Sequence, residues 1–172
     1  DALGTYLVKV SGKTLTDDDS REVSKLLHII GDFERISDHA VNILESAEEI
    51  KEKKMEFSEQ AKSEITTMMS AVSEILSLAL GAFVENDLEK AYKVEPLEQV
   101  VDNLQSFIKK QHVTRLRKKE CTIEMGFVLS DLLTNLERVS DHCSNIAVCI
   151  IEIAHESFDM HSYLQNLKDL HN

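Results

Sequence analysis

The phrase ERISDHAVNI, residues 34–43, returns 103 residues later as ERVSDHCSNI, residues 137–146, with seven of ten positions identical. Each copy places two carboxylates four residues apart, Glu34 with Asp38 and Glu137 with Asp141, and VEPLEQVVDNL supplies a third pair, Glu98 with Asp102. On a helix such pairs share one face, with Cβ atoms about 5 to 6 Å apart. Like charges at that distance repel unless something positive intervenes. Carboxylates on facing helices can bridge one or two metal ions through their oxygens, which makes cation binding the chemistry that this spacing suggests. Acid pairs also accumulate on solvated helix faces, so the weight lies on the duplication of the whole phrase. Asn42 and Asn145 extend each stripe by a further step and add an amide beside the acids. Ser37 and Ser140 are small enough to admit a neighbouring helix. Arg35 and Arg138 can pair with acids on adjacent helices or offer forked donors to phosphate, the first being the favoured reading.

His39 and His142 follow their glutamates by five residues, about 140° around a helix, and so miss the metal-facing stripe. A di-iron Glu-x-x-His site needs both groups on one face. The two histidines are therefore expected to hydrogen-bond or pack at a helix seam. No phosphate-binding glycine loop, nucleophile elbow or HExxH phrase occurs, so nucleotide hydrolysis and standard hydrolase chemistry have no visible apparatus.

Long amphipathic runs must carry these groups. Val23, Leu26, Leu27, Ile30, Phe33, Ile36, Ala40, Ile43 and Ala47 recur at helical spacing, and Asp18 or Asp19 with Glu22 can cap that helix. A second helix opens at Ser58 and is interrupted at residues 85–87. A third carries Ala91 to Ile108, with Pro96 expected to kink or restart it, and ends in the basic stretch KKQHVTRLRKK, residues 109–119. That stretch either complements the helix C-terminus or meets an acidic partner or membrane surface. A fourth helix spans about 122–154, and residues 155–172 read as a short final helix. Long antiparallel helices with short loops make a bundle. The duplication extends to Asp1, Leu3 and Lys9 against Asp102, Leu104 and Lys110, so residue 1 is expected to lie inside a helix of a truncated first repeat.

Five glycines, one proline and no tryptophan among 172 residues fit an all-α chain. The formal charge of −12 disfavours nucleic acid and favours cations. Cys121, Cys143 and Cys149 form no CxxC pair and read as reduced thiols of a cytosolic compartment. No apolar run of membrane-spanning length and no signal peptide is evident, and the chain reads as soluble.

FERISDHAVNI and LERVSDHCSNI resemble the signature of the PhoU family of phosphate-uptake regulators, and VEPLEQVVDNL resembles its second motif. The resemblance implies tandem three-helix-bundle repeats, here divided as 1–53, 54–154 and a tail from 155 to 172. It also implies multinuclear iron or zinc held by Glu98, Asp102, Glu137 and Asp141 in the second repeat, and by Glu34, Asp38 and Asp1 in the first. Asn42, Asn145, Arg35 and Arg138 would stand in the surrounding shell. The opening 38-residue stretch from Tyr6 and the HESFDMHSYLQNLK tail are similar to the domain attached to bacterial sodium/phosphate cotransporter-related proteins. That implies a transporter membrane domain upstream in the same chain and a place on the cytoplasmic side of the cell membrane. The expected role is non-catalytic regulation. Its rivals are a metal-free interaction domain with acidic faces and a metal-dependent phosphoesterase. The apolar face left by the truncated repeat is expected to be covered by the C-terminal helix or by a second copy in a homodimer.

Overall fold

The computed structural model describes residues 2–13 and 15–169, with side chains for all of these but Asp18 and residues 156–169. Five helices follow in order: α1 (Ala2–Ser11), α2 (Asp17–Glu52), α3 (Glu59–Glu85), α4 (Leu88–Arg117) and α5 (Ile123–Asp169). Among the described residues there is no strand, in agreement with the all-α expectation.

Local chemistry sets most boundaries. α2 begins two or three residues earlier than expected: Thr16 caps it by accepting from the Asp19 N–H, and Asp19 reaches back to the Thr16 N–H. This reciprocal box displaces the expected Asp18 or Asp19 cap with Glu22, because Thr16 and Asp19 already satisfy two orphan donors. Ser58 caps α3 by accepting from the Ala61 N–H. The END stretch works as a two-part punctuation. Asn86, at φ 52°, closes α3 in the left-handed region that asparagine tolerates, and Asp87 opens α4 by accepting from the Lys90 N–H.

Two expected breaks are absent. α4 runs unbroken through Pro96, where the lost hydrogen bond falls beside the exposed Tyr92. α5 continues to Asp169 instead of yielding a separate helix from 155, since no glycine or proline follows Gly126 to interrupt it.

α3, α4 and α5 form a three-helix bundle whose fully buried centre includes Met68, Ile75, Val94, Val101, Ile108, Leu129 and Leu133. α2 lies antiparallel along the other side of α5. Their seam uses Ile29 and Ile36 from α2 with Leu132, Val139 and Ile146 from α5, all buried at seven-residue steps. Ile29, absent from the expected apolar stripe, is 1% exposed, whereas Ala40 and Ala47 of that stripe are exposed. The two repeats differ here: Cys143 and Ser140 are fully buried inside the second bundle, while their counterparts Ala40 and Ser37 are exposed. No residue of α1 is buried, and its Leu3, Tyr6 and Val8 are exposed. The expected cover by the C-terminal helix falls on side chains outside the described residues.

α3 corrects the expectation that no stretch could span a membrane. By length and composition it qualifies, with a window of mean hydropathy 1.6. Six of its residues, among them Met68, Val72 and Ile75, are nonetheless buried in the bundle.

Candidate metal centre at the seam of α4 and α5

The register of α4 against α5 is fixed by polar contacts on either side of the acids. Ser144 Oγ donates to Glu95 at 2.5 Å, and Gln105 Nε2 donates to the Leu133 carbonyl at 3.4 Å. Between those contacts, Glu98 and Asp102 of α4 meet Asp141 of α5, with one carboxylate oxygen from each inside 4.8 Å of the others. Glu137 stands one turn away from Asp141 and feels both Asp141 and Asp102.

The electrostatics follow. Burial, then Asp102, Glu95, Asp141 and Glu137, push the Glu98 carboxyl above the ordinary carboxylate range. Burial and Asp141 do the same to Glu137, against an opposing pull from Arg138. The folded chain thus holds converging carboxylates that resist ionising together, the condition a bridging cation relieves. Arg138 supplies part of that relief from the same helix, at 3.0 Å from Asp141 and 3.8 Å from Glu137. This corrects the expectation that it would pair with an adjacent helix: at three residues' spacing, Asp141 is simply its nearest acid.

The first-repeat residues are not assembled in the same way. Glu34 and Asp38 are exposed on α2, and Asp1 lies outside the described residues. The asparagines serve another purpose. Asn42 Nδ2 donates to Asn135 Oδ1 at 3.0 Å and Asn145 Nδ2 donates to Asp32 at 3.3 Å, both across the seam of α2 and α5. They point away from the acid stripe because a further four-residue step drifts about 40° around the helix. The histidines occupy the same seam: His39 Nδ1 donates to Asn135 at 2.9 Å, His142 Nδ1 donates to Asp32 at 2.8 Å, and the two rings stack at 5.6 Å.

The seam is therefore a pseudo-symmetric clasp in which each repeat's His and Asn grip the residue two positions before the other repeat's glutamate. Asp32 and Asn135 were not singled out from sequence. The 103-residue offset relates them, but their differing types hide the relation. Asp32→Asn, which makes the halves chemically alike, is expected to cost less than about 1 kcal/mol. Asp32→Leu strands the His142 donor and is expected to cost about 1–3 kcal/mol in urea denaturation.

The basic stretch at 109–119 is partly internal. Arg115 is 6% exposed and makes two hydrogen bonds to Glu64, at 3.0 and 2.8 Å. His112 is buried beside Gly126, where a Cβ would come within 2.7 Å of its Nε2. The three cysteines are free, and burial pushes the Cys143 thiol up to about 12.

Fold and site together define an internally repeated helical bundle with an all-carboxylate cluster on one helix seam. Residues 3–47 and 65–150 match the PhoU domain, and the chain belongs to that family. It is 29% identical over 133 residues to "Phosphate-specific transport system accessory protein PhoU homolog 1" of Thermotoga maritima, covering 77% of this chain and 56% of the relative. "Phosphate-specific transport system accessory protein PhoU homolog" of Zymomonas mobilis is 30% identical over 130 residues, covering 76% of this chain and 54% of that protein. The chain thus spans little more than half the length of these relatives. The crystal structure of PhoU from Pseudomonas aeruginosa shares the fold, with a TM-score of 0.80 at 24% identity, over 87% of this chain and 71% of that one.

Proposed function

We propose that this domain is a non-catalytic regulator of a phosphate transport system that binds metal ions through its paired Glu-x-x-x-Asp motifs. The observation that carries the reading is the convergence of Glu98, Asp102 and Asp141 from two helices, with Glu137 beside them. The relatives' description as accessory proteins of phosphate transport supplies the system. Iron or zinc in a multinuclear cluster is the proposed bound metal, as the resemblance of these motifs to the family's implies, and carboxylates can ligate such ions through one or both oxygens. When bound, the ions would neutralise the acids and tie α4 to α5. Glu34 and Asp38, with Asp1, are the proposed counterpart in the first repeat.

The finer form of the reading places the domain on the cytoplasmic face of a sodium/phosphate cotransporter-related membrane domain in one longer chain. The test is elemental analysis of protein purified without a histidine tag, beside the Glu98→Ala/Glu137→Ala variant. Stoichiometric transition metal that vanishes in a folded variant is expected. Wild-type protein that stays metal-free after reconstitution with iron and zinc would sink the reading and favour a metal-free interaction domain.

A further inference from the structure

The basic stretch at residues 109–119 is only partly accounted for by the fold. Lys109, Lys110, Arg115, Arg117, Lys118 and Lys119 stand in a run that holds no acid. Arg115 is held by Glu64. Lys110, Arg117, Lys118 and Lys119 are exposed and make no side-chain hydrogen bond or ion pair among the described residues. Of the two acids that follow, Glu120 and Glu124, the second is answered by Lys53 at 2.8 Å. The neighbouring loop between α2 and α3 is close to neutral, with Lys51 and Lys54 beside Glu52 and Glu56. A cationic tip thus ends a domain of net charge −12.

Directly after it, Ile123 and Phe127 lie one turn apart on α5, 70% and 68% exposed. Val113 of α4, also exposed, adjoins them, since it shares a small groove with Gly126. Lys109, Val113 and Arg117 follow at four-residue steps, so cations bracket the apolar patch along one helix face. The turn itself is fixed: the Lys119 N–H donates to the Leu116 carbonyl and the Glu120 N–H to the Arg115 carbonyl, both at 3.0 Å. The macrodipole of α4 accounts for lysines at its C-terminus. It does not account for large apolar side chains in solvent beside them. Nor does helix packing: at the 103-residue offset Ile123 and Phe127 correspond to Ser20 and Ser24, and at the 101-residue offset Val113 corresponds to Gly12.

We propose that this tip docks on the surface of a bilayer containing anionic lipids, with Ile123 and Phe127 entering the boundary between headgroups and acyl chains and Lys110, Arg117, Lys118 and Lys119 meeting headgroup phosphates. Two side chains this exposed at a helix start can enter lipid without rearranging the fold. The groove between Val113 and Gly126, at about 170 Å³, is by contrast below the size of ordinary ligand sites. The acidic remainder of the domain is repelled by the same surface, which orients the tip toward it. The inference stands apart from the metal and phosphate readings, since the docking residues include none of the acid cluster.

The test is flotation of chelator-treated protein with phosphatidylcholine vesicles, with and without phosphatidylglycerol. Chelation removes ions that could bridge the acid cluster to headgroups. Binding is expected only where phosphatidylglycerol is present, and it should fall as salt rises. Lys118→Gln/Lys119→Gln is expected to weaken it by about 25-fold, about fivefold for each charge. Ile123→Ser/Phe127→Ser, which installs the first repeat's residues, is expected to weaken it by about tenfold or more with helicity unchanged. Lys9→Gln/Lys13→Gln, which removes two exposed charges outside the tip, is expected to leave it unchanged. Absence of binding to the anionic vesicles overturns the proposal, as does unchanged binding in either tip variant or an equal loss in Lys9→Gln/Lys13→Gln. Capture by poly-glutamate with the same lysine dependence, beside silent vesicles, overturns it in favour of an acidic protein partner.

Discussion

Arg115→Met is expected to destabilise the chain by about 3–5 kcal/mol, the scale observed when one member of a buried ion pair is removed. The side chains of Arg115 and Glu64 are 8% and 9% exposed, and two parallel hydrogen bonds join α4 to α3. Truncating the arginine leaves the Glu64 carboxylate in a desolvated position with its charge unanswered. The loss therefore reflects that stranded charge more than the pair's own net value. Glu64→Leu combined with Arg115→Met removes the stranded charge, and the double variant is expected to recover most of the loss. Urea denaturation with a constant m-value reads both effects. A single variant within about 0.5 kcal/mol of the parent would show that the carboxylate finds water or another cation.

Glu98→Gln is expected to move metal binding and metal-free stability in opposite directions. Glutamine keeps the shape of the side chain but cannot contribute a charged bridging ligand. Metal affinity should fall by about a hundredfold or more, beyond the typical loss for residues that only support a ligand. In chelator-treated protein the same change should stabilise the fold. Glu98 and Glu137 have folded-state pKa values above their ordinary ones, so the folded chain holds more protons than the unfolded chain in the window above the ordinary glutamate value. Stability is fully present below that window and falls as pH rises through it. The advantage of Glu98→Gln over the parent should accordingly be small near pH 4 and grow as pH rises above the ordinary glutamate value. A metal-free variant no more stable than the parent at neutral pH would mean that Arg138 and Lys109 already neutralise the cluster.

The all-helical architecture was legible in the sequence because helical periodicity and the scarcity of glycine and proline are local properties. The same holds for the cap at Ser58 and the break at residues 85–87. The acid pairs were legible for the same reason, since a four-residue step fixes a shared helix face whatever the helix packs against. The motif resemblance led to the family, which the match over residues 3–47 and 65–150 bears out.

Only the tertiary structure decided which faces met. Glu98 and Asp102 acquire their partner Asp141 because α4 and α5 run antiparallel in one register, and nothing local to either helix encodes that register. Asn42 and Asn145 looked like continuations of the acid stripe, yet two four-residue steps from the glutamate accumulate about 80° of drift and turn them toward the seam of α2 and α5. Ile29 replaced Ala40 and Ala47 as a buried residue of α2 because it lies on the face that packs on α5. Arg115 sits in a basic run that reads as surface, but its partner Glu64 lies 51 residues earlier in the chain. Sequence fixes the directions in which a helix presents its side chains. Which direction becomes buried, paired or charged depends on neighbours that only the folded chain supplies.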